Sequence, residues 1–281
     1  MELNKNLGIM LGRFTPTEGR GIQFYPSDKE IVKEFNLADH LGLSYIEWII
    51  TDTTINSFFK GYKEICKLSD LILKTDVQIR SVCLDYLMDL DLTNDENIDG
   101  NLFRWILSFA EQIGCKYIII PIYKQNMDVD NISKLINFYT SSDLTILFEF
   151  LDVPSNMGIK FLENLNMRVV VPVGVCFDIG NNCKKGVNNI IKELQKYDIA
   201  GYLDHIHIKE KDNVGDSCPL GKGRIGSKGW IKIFKYLHKS YCHCYGNFTL
   251  QCSRGSDYKE EDWIRAQIEF LEIIYRNLNG K

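Results

Sequence analysis

The feature that most constrains this chain is a regular alternation of eight short apolar runs, each followed by a stretch with helical spacing. Short runs rich in Val and Ile and bounded by Gly, Pro or polar residues read as buried strands. They fall at 7–12, 44–50, 78–84, 116–121, 144–149, 173–177, 201–208 and 248–251. Helical patterns follow at 29–41, 56–73, 102–113, 129–139, 156–165, 187–197, 230–237 and 260–278. In the first of these, Ile31, Val32, Phe35, Leu37, Ala38 and Leu41 share helical spacing, and Gly42 stands where a C-cap belongs. This pattern predicts an α/β fold, a (β/α)8 TIM barrel, as a single domain over residues 1–281. An open doubly wound sheet also alternates. The first strand here lacks the G-x-G-x-x-G turn of such dinucleotide folds, and no linker or composition break divides the chain.

In a barrel the chemistry gathers at the C-terminal ends of the strands, so those residues are read for function. The run Val173-Gly-Val-Cys-Phe-Asp178 ends abruptly in an acid, followed by Ile-Gly-Asn-Asn182. An Asp at a strand end is commonly a turn residue, but three other strands also end in ligand-type side chains. Strand five ends in Glu149, strand seven contains His207, and strand eight ends in Gln251. Two carboxylates, an imidazole and an amide oxygen suit one divalent ion such as Mn²⁺, Mg²⁺, Co²⁺ or Zn²⁺. His205 and His207 share a strand face, and His207 lies nearer the C-terminal end. Lys209 shares that face at the mouth, either to polarise a substrate oxygen or as a solvated lysine. Glu47, flanked by Ile46, Trp48 and Ile49, reads as an inward acid needing a partner. Asp85 closes strand three, as a substrate contact or a loop cap. Arg13, Arg254, Lys222 and Arg224 are candidates for a phosphate or carboxylate on the substrate.

The formal net charge of −4 and a pI near 5.8 leave no basic surplus for nucleic acid. No stretch reaches the roughly 18 consecutive apolar residues of a membrane span, and the first residues lack a signal-peptide pattern. Nine cysteines are scattered, and Cys242-His-Cys244 has no second pair at zinc-finger spacing. Reduced thiols in a cytoplasmic protein are expected.

Taken together, Ile46-Glu47-Trp48, Ser81-Val-Cys-Leu-Asp85, Phe148-Glu149, Asp178-Ile-Gly-Asn181, His205-Ile-His-Ile-Lys-Glu210 and Pro219-Leu-Gly-Lys-Gly223 resemble the sugar phosphate isomerase/epimerase family of xylose-isomerase-like barrels. Gly12-Arg-Phe-Thr-Pro16 adds to the likeness. The resemblance implies a metal held by Glu149, Asp178, His207 and the strand-eight residue, chelating an open-chain ketose and stabilising an enediolate after proton loss. Glu149 would remove the proton, with Glu47, Lys209 or Asp85 as further candidates for acid–base work. Asn181 would shape the pocket rim. The family's second glutamate is replaced by Gln251, which can coordinate but cannot accept a proton. The expected activity is therefore isomerisation or epimerisation of a sugar or sugar phosphate in carbohydrate metabolism, with manganese a suitable ion. A lyase (dehydratase) on the same scaffold and a non-catalytic metal-binding barrel are the alternatives. Endonuclease chemistry is disfavoured, since five histidines are too few for its trinuclear zinc cluster. A small carbohydrate is the expected partner, without nucleic acid or membrane, and a homodimer is a possible assembly.

Overall fold

Eight parallel strands close on themselves in the computed structural model, which describes residues 6–16, 23–51, 62–94, 99–138, 143–239, 247–251 and 260–278. They are β1 (Leu7–Met10), β2 (Tyr45–Ile49), β3 (Gln78–Cys83), β4 (Tyr117–Tyr123), β5 (Thr145–Leu151), β6 (Val173–Asp178), β7 (Leu203–Ile208) and β8 (Phe248–Leu250). Between and after them lie α1 (Asp28–His40), α2 (Tyr62–Lys74), α3 (Gly100–Gln112), α4 (Val129–Asn137), α5 (Ser155–Asn166), α6 (Val187–Ile199), α7 (Gly226–Lys239) and α8 (Glu260–Leu278). The spatial order β1-β8-β7-β6-β5-β4-β3-β2 is the chain order wrapped once round, and β1 pairing with β8 removes both sheet edges. Among the described residues, no helix is long and apolar enough to cross a membrane.

Apolar side chains on the outward strand face pack under the helices. Trp48 and Phe148 are fully buried there, Trp48 against Phe109 of α3 and Phe148 against Phe161 of α5. Helix ends follow local chemistry. Glu30 accepts from the Ser27 backbone before α1, Asp99 accepts from Asn101 and Leu102 at the start of α3, and Gly42 takes a φ of 71° after α1.

Register then decides which inward residues meet. Met10 lies opposite Glu47 and Glu47 opposite Ser81, while Asp178 lies opposite His207 and His207 opposite Thr249. The β2–β3 ladder slips between Ile46 and Glu47, and the β6–β7 ladder between Val175 and Cys176. Such irregularities re-aim side chains beside functional sites. Strand four runs past its expected end at Pro121 to Tyr123. Proline lacks the N–H for one ladder bond, but Ile122 and Tyr123 still pair with Phe150 and Leu151.

Gly8 makes room for a buried tyrosine. A Cβ there would fall 2.2 Å from a ring carbon of Tyr45, whose hydroxyl lies 3.1 Å from Thr249 Oγ1. Overpacking a core typically costs about 1–3 kcal/mol. We expect Gly8→Ala to lose that much stability in urea denaturation; an unchanged midpoint would show that the ring can move aside.

Candidate metal centre

The centre begins below the barrel mouth with Glu47, which is fully buried. Its Oε2 accepts from Ser81 Oγ at 2.8 Å and Thr249 Oγ1 at 3.2 Å, and lies 3.2 Å from His205 Nε2. Its Oε1 lies 2.9 Å from His207 Nε2. Burial works to raise the Glu47 pKa, but His207 and His205 outweigh it and hold the carboxyl well below the usual range. His205 is lowered, chiefly by burial, with Glu47 opposing. Burial also disfavours charge on His207, yet Cys176, Glu47 and Glu149 around it raise its pKa well above the ordinary value. The Cys176 thiol itself is pushed up by burial.

Nearer the mouth, His207 turns its other nitrogen, Nδ1, toward Glu149 Oε2 and Gln251 Nε2, each at 3.2 Å. Glu149 Oε1 accepts from Asn181 Nδ2 at 2.8 Å, and Asp178 Oδ1 accepts from the Asn181 backbone N–H at 2.7 Å. Asn181 therefore fixes both carboxylates at once. Ligand atoms of Glu149, Asp178 and His207 lie within 4.8 Å of one another, all three residues buried. Asp178 Oδ2 is a buried oxygen with no aligned hydrogen bond. The donor set is two hard carboxylate oxygens and one imidazole nitrogen, with an amide group beside them. A cation-coordinating site fits that set and that spacing.

Of the other residues expected at the site, Lys209 joins the cluster, with Nζ 3.0 Å from both Asp178 Oδ2 and Gln251 Oε1. Gln251 directly follows β8, held by its N–H to the Ile208 carbonyl at 3.0 Å. Asp85 opens a 3-10 turn (Asp85–Asp89) at the C-terminal end of β3. Arg13 is only 2% exposed and donates to Gln23 Oε1 at 2.9 Å and Met10 Sδ at 3.2 Å. Glu34 of α1 secures that loop by accepting from the N–H groups of Gly12 and Phe14 and from Thr15 Oγ1. Arg254 lies outside the described residues. Arg224 donates to the carbonyls of Asp212 and Asn213, so it clasps its own loop.

Sequence reasoning missed Ser81 and Thr249, although alternation from Cys83 and Gln251 puts both on the inward face. It also gave no role to Glu210. This fully buried carboxylate follows β7 and accepts from the N–H groups of Gly221, Ile225 and Gly226 and from Trp230 Nε1. It thereby fastens the Gly-rich loop to the start of α7, where an anion also meets the positive end of the helix dipole.

The barrel has counterparts. The family model of the xylose isomerase-like TIM barrel matches residues 35–274. This chain belongs to that family. Similar solved structures include a xylose isomerase domain protein from Planctomyces limnophilus, with TM-score 0.71, 15% identity and coverage of 98% of this chain and 99% of that one. The IOLI protein with a binding zinc atom aligns with TM-score 0.68 and 15% identity, over 97% and 99% of the two chains. The probable 3-DHS dehydratase AsbF from Bacillus anthracis, involved in petrobactin synthesis, gives 0.66 and 14%, over 95% and 98%. At these identities the likeness is one of fold. No curated protein matches the chain in sequence.

An orphaned buried donor costs about 1–3 kcal/mol, and Glu210 serves several. Glu210→Ala should therefore cost about 3 kcal/mol or more in equilibrium unfolding, whereas Arg224→Ala, at a half-buried position on the same loop, should cost less, about 1 kcal/mol. Equal losses would remove the special role of the carboxylate.

Proposed function

We propose that this barrel is a divalent-metal-dependent isomerase or epimerase of a sugar or sugar phosphate, working by proton transfer at the carbon beside a carbonyl. The observation that carries the reading is the convergence of Glu149, Asp178 and His207, from three adjacent strands, on one point at the C-terminal mouth. These residues would hold the ion, with the Gln251 carbonyl oxygen able to complete the set after its amide turns. A bound ion supplies Lewis-acid stabilisation of the negative charge that grows on the substrate carbonyl oxygen. Manganese, magnesium, cobalt and zinc all suit the ligands.

The chain's own residues then divide the work. Glu149 is the base, with Asn181 orienting one of its oxygens. Glu47 is buried behind His207 with no path to the mouth in front of it. Its part is to orient and polarise the imidazole, as carboxylates behind metal-bound histidines commonly do. Lys209 stands where its ammonium can reach a substrate oxygen. Asp85, at the end of β3, and Arg254 are assigned to substrate hydroxyls and phosphate. Arg13, packed against Met10 and Gln23, supports the first loop.

A second reading, a lyase of the dehydratase kind, is favoured by one specific observation. Gln251 stands where a second proton-accepting residue would serve two-sided epimerisation, and a one-base elimination does without it.

Incubating metal-loaded protein with candidate ketoses in D₂O separates the two readings. Deuterium appearing beside the carbonyl without loss of water supports isomerisation, and loss of water supports the lyase. Glu149→Gln should abolish exchange by at least about a hundredfold. Neither exchange nor water loss with any sugar tested, together with no bound Mn²⁺, would overturn both. Stabilisation by Mn²⁺ should reach about 2.7 kcal/mol at a hundred times its Kd. Because His207 is pushed toward protonation and must lose its Nδ1 proton to ligate, loading should release protons and weaken as pH falls. A pH-independent Mn²⁺ affinity would show that His207 is not a ligand.

A further inference from the structure

Lys209 follows β7 two residues after His207, and its ammonium sits where a cation is wanted. It lies 3.0 Å from Asp178 Oδ2 and donates to Gln251 Oε1 at 3.0 Å. These are two of the four groups that the proposed function gives to the divalent ion. The Lys209 side chain is 15% exposed and that of Asp178 only 1%, so water screens the pair weakly. The stem is confined as well. A Cβ on Gly180 would fall 2.8 Å from Lys209 Cγ and 2.9 Å from its Cβ, so the turn after β6 leaves that side chain a narrow slot.

The two oxygens of Asp178 are unequal. Oδ1 is satisfied by the Asn181 N–H, while Oδ2 has the lysine at ion-pair distance but no aligned hydrogen bond. Gln251 is unequal in the same sense: its carbonyl oxygen faces Lys209 and its NH₂ faces His207. The amide thus offers the centre a donor edge while lysine holds its acceptor.

We propose that Lys209 is a built-in counter-cation of the metal centre. Its ammonium neutralises Asp178 and ties up the Gln251 carbonyl when no divalent ion is bound, and competes with that ion for both. Binding of the ion displaces the ammonium toward the mouth, the position from which it would meet substrate. A doubly charged ion and an ammonium repel each other strongly at such range in a weakly screened site, so the two occupancies exclude one another. The inference rests on the metal-dependent reading and adds an internal competitor to it.

The test is calorimetric titration of metal-free wild type and Lys209→Met with MnCl₂, with thermal melts of both in chelator. Removing one opposing charge at this distance should tighten Mn²⁺ binding by roughly tenfold or more. The same variant should melt below wild type in chelator, because Asp178 then lacks its counter-charge, and Mn²⁺ should close the gap. Lys209→Gln, with a neutral polar head, should behave likewise and stands in if the Met variant does not fold. Lys209→Arg keeps the charge and should stay within about threefold of wild type. Variants that bind Mn²⁺ no tighter than a wild type that does bind it would overturn the proposal and leave the metal reading standing. An unchanged melt in chelator would overturn it too, as would an Arg variant as tight as the Met one. Absence of Mn²⁺ binding in every protein would overturn both.

Discussion

A carboxylate with no access to water has to be compensated by its neighbours, and at the centre of this barrel that carboxylate is Glu47. Its partners come from three other strands: Ser81 on β3, His205 and His207 on β7, and Thr249 on β8. They can meet it only if the sheet closes in this register, so the polar cluster and the β1–β8 closure depend on each other. The irregularities beside Glu47 and Cys176 lie in the same layer and aim the inward residues at one another. A buried polar network of this kind, tied together by hydrogen bonds and close ion pairs from four strands, specifies one arrangement of a core more sharply than apolar packing alone.

The mouth inherits its charge from that floor. His207 bridges the two levels, one nitrogen toward Glu47 and the other toward Glu149. Above it, Asn181 and Lys209 position and balance Glu149 and Asp178, and Gln251 adds a neutral amide where an acid would add another negative charge. The outcome is a site poised for a cation yet partly self-compensated. Around the rim, Glu210 anchors the Gly-rich loop and Glu34 anchors the loop after β1. Both are buried carboxylates that accept backbone N–H groups, which sets loop geometry without entering the chemistry.

The strands and helices were legible because their signals are local. Apolar runs set the strands within a few residues, and the cap at Gly42 is a short-range motif. Pro121 misled at one boundary, since a proline argues for a strand end while pairing across β4 and β5 continues past it. At the site, Glu149, Asp178, His207 and Gln251 were legible as a set because a barrel brings consecutive strand ends to one mouth. Lys209 was legible only as one of two alternatives. Arg13 read as an anion-binding loop cation, and its burial against Gln23 and Met10 could not be foreseen from a polar, Gly-rich stretch. Glu210 stood inside a family motif but its role was not legible, because the backbone N–H groups it accepts lie 11 to 16 residues further on.

By itself the sequence determined the alternation of strand and helix, hence the barrel, and the identity of the residues at its mouth. Periodicity is written along the chain, and the family's motifs are contiguous enough to be read there. Tertiary structure alone decided which acid faces which base. That choice depends on register between strands distant in sequence, on two local slips of that register, and on the side-chain competition by which Lys209 reaches Asp178 and Gln251.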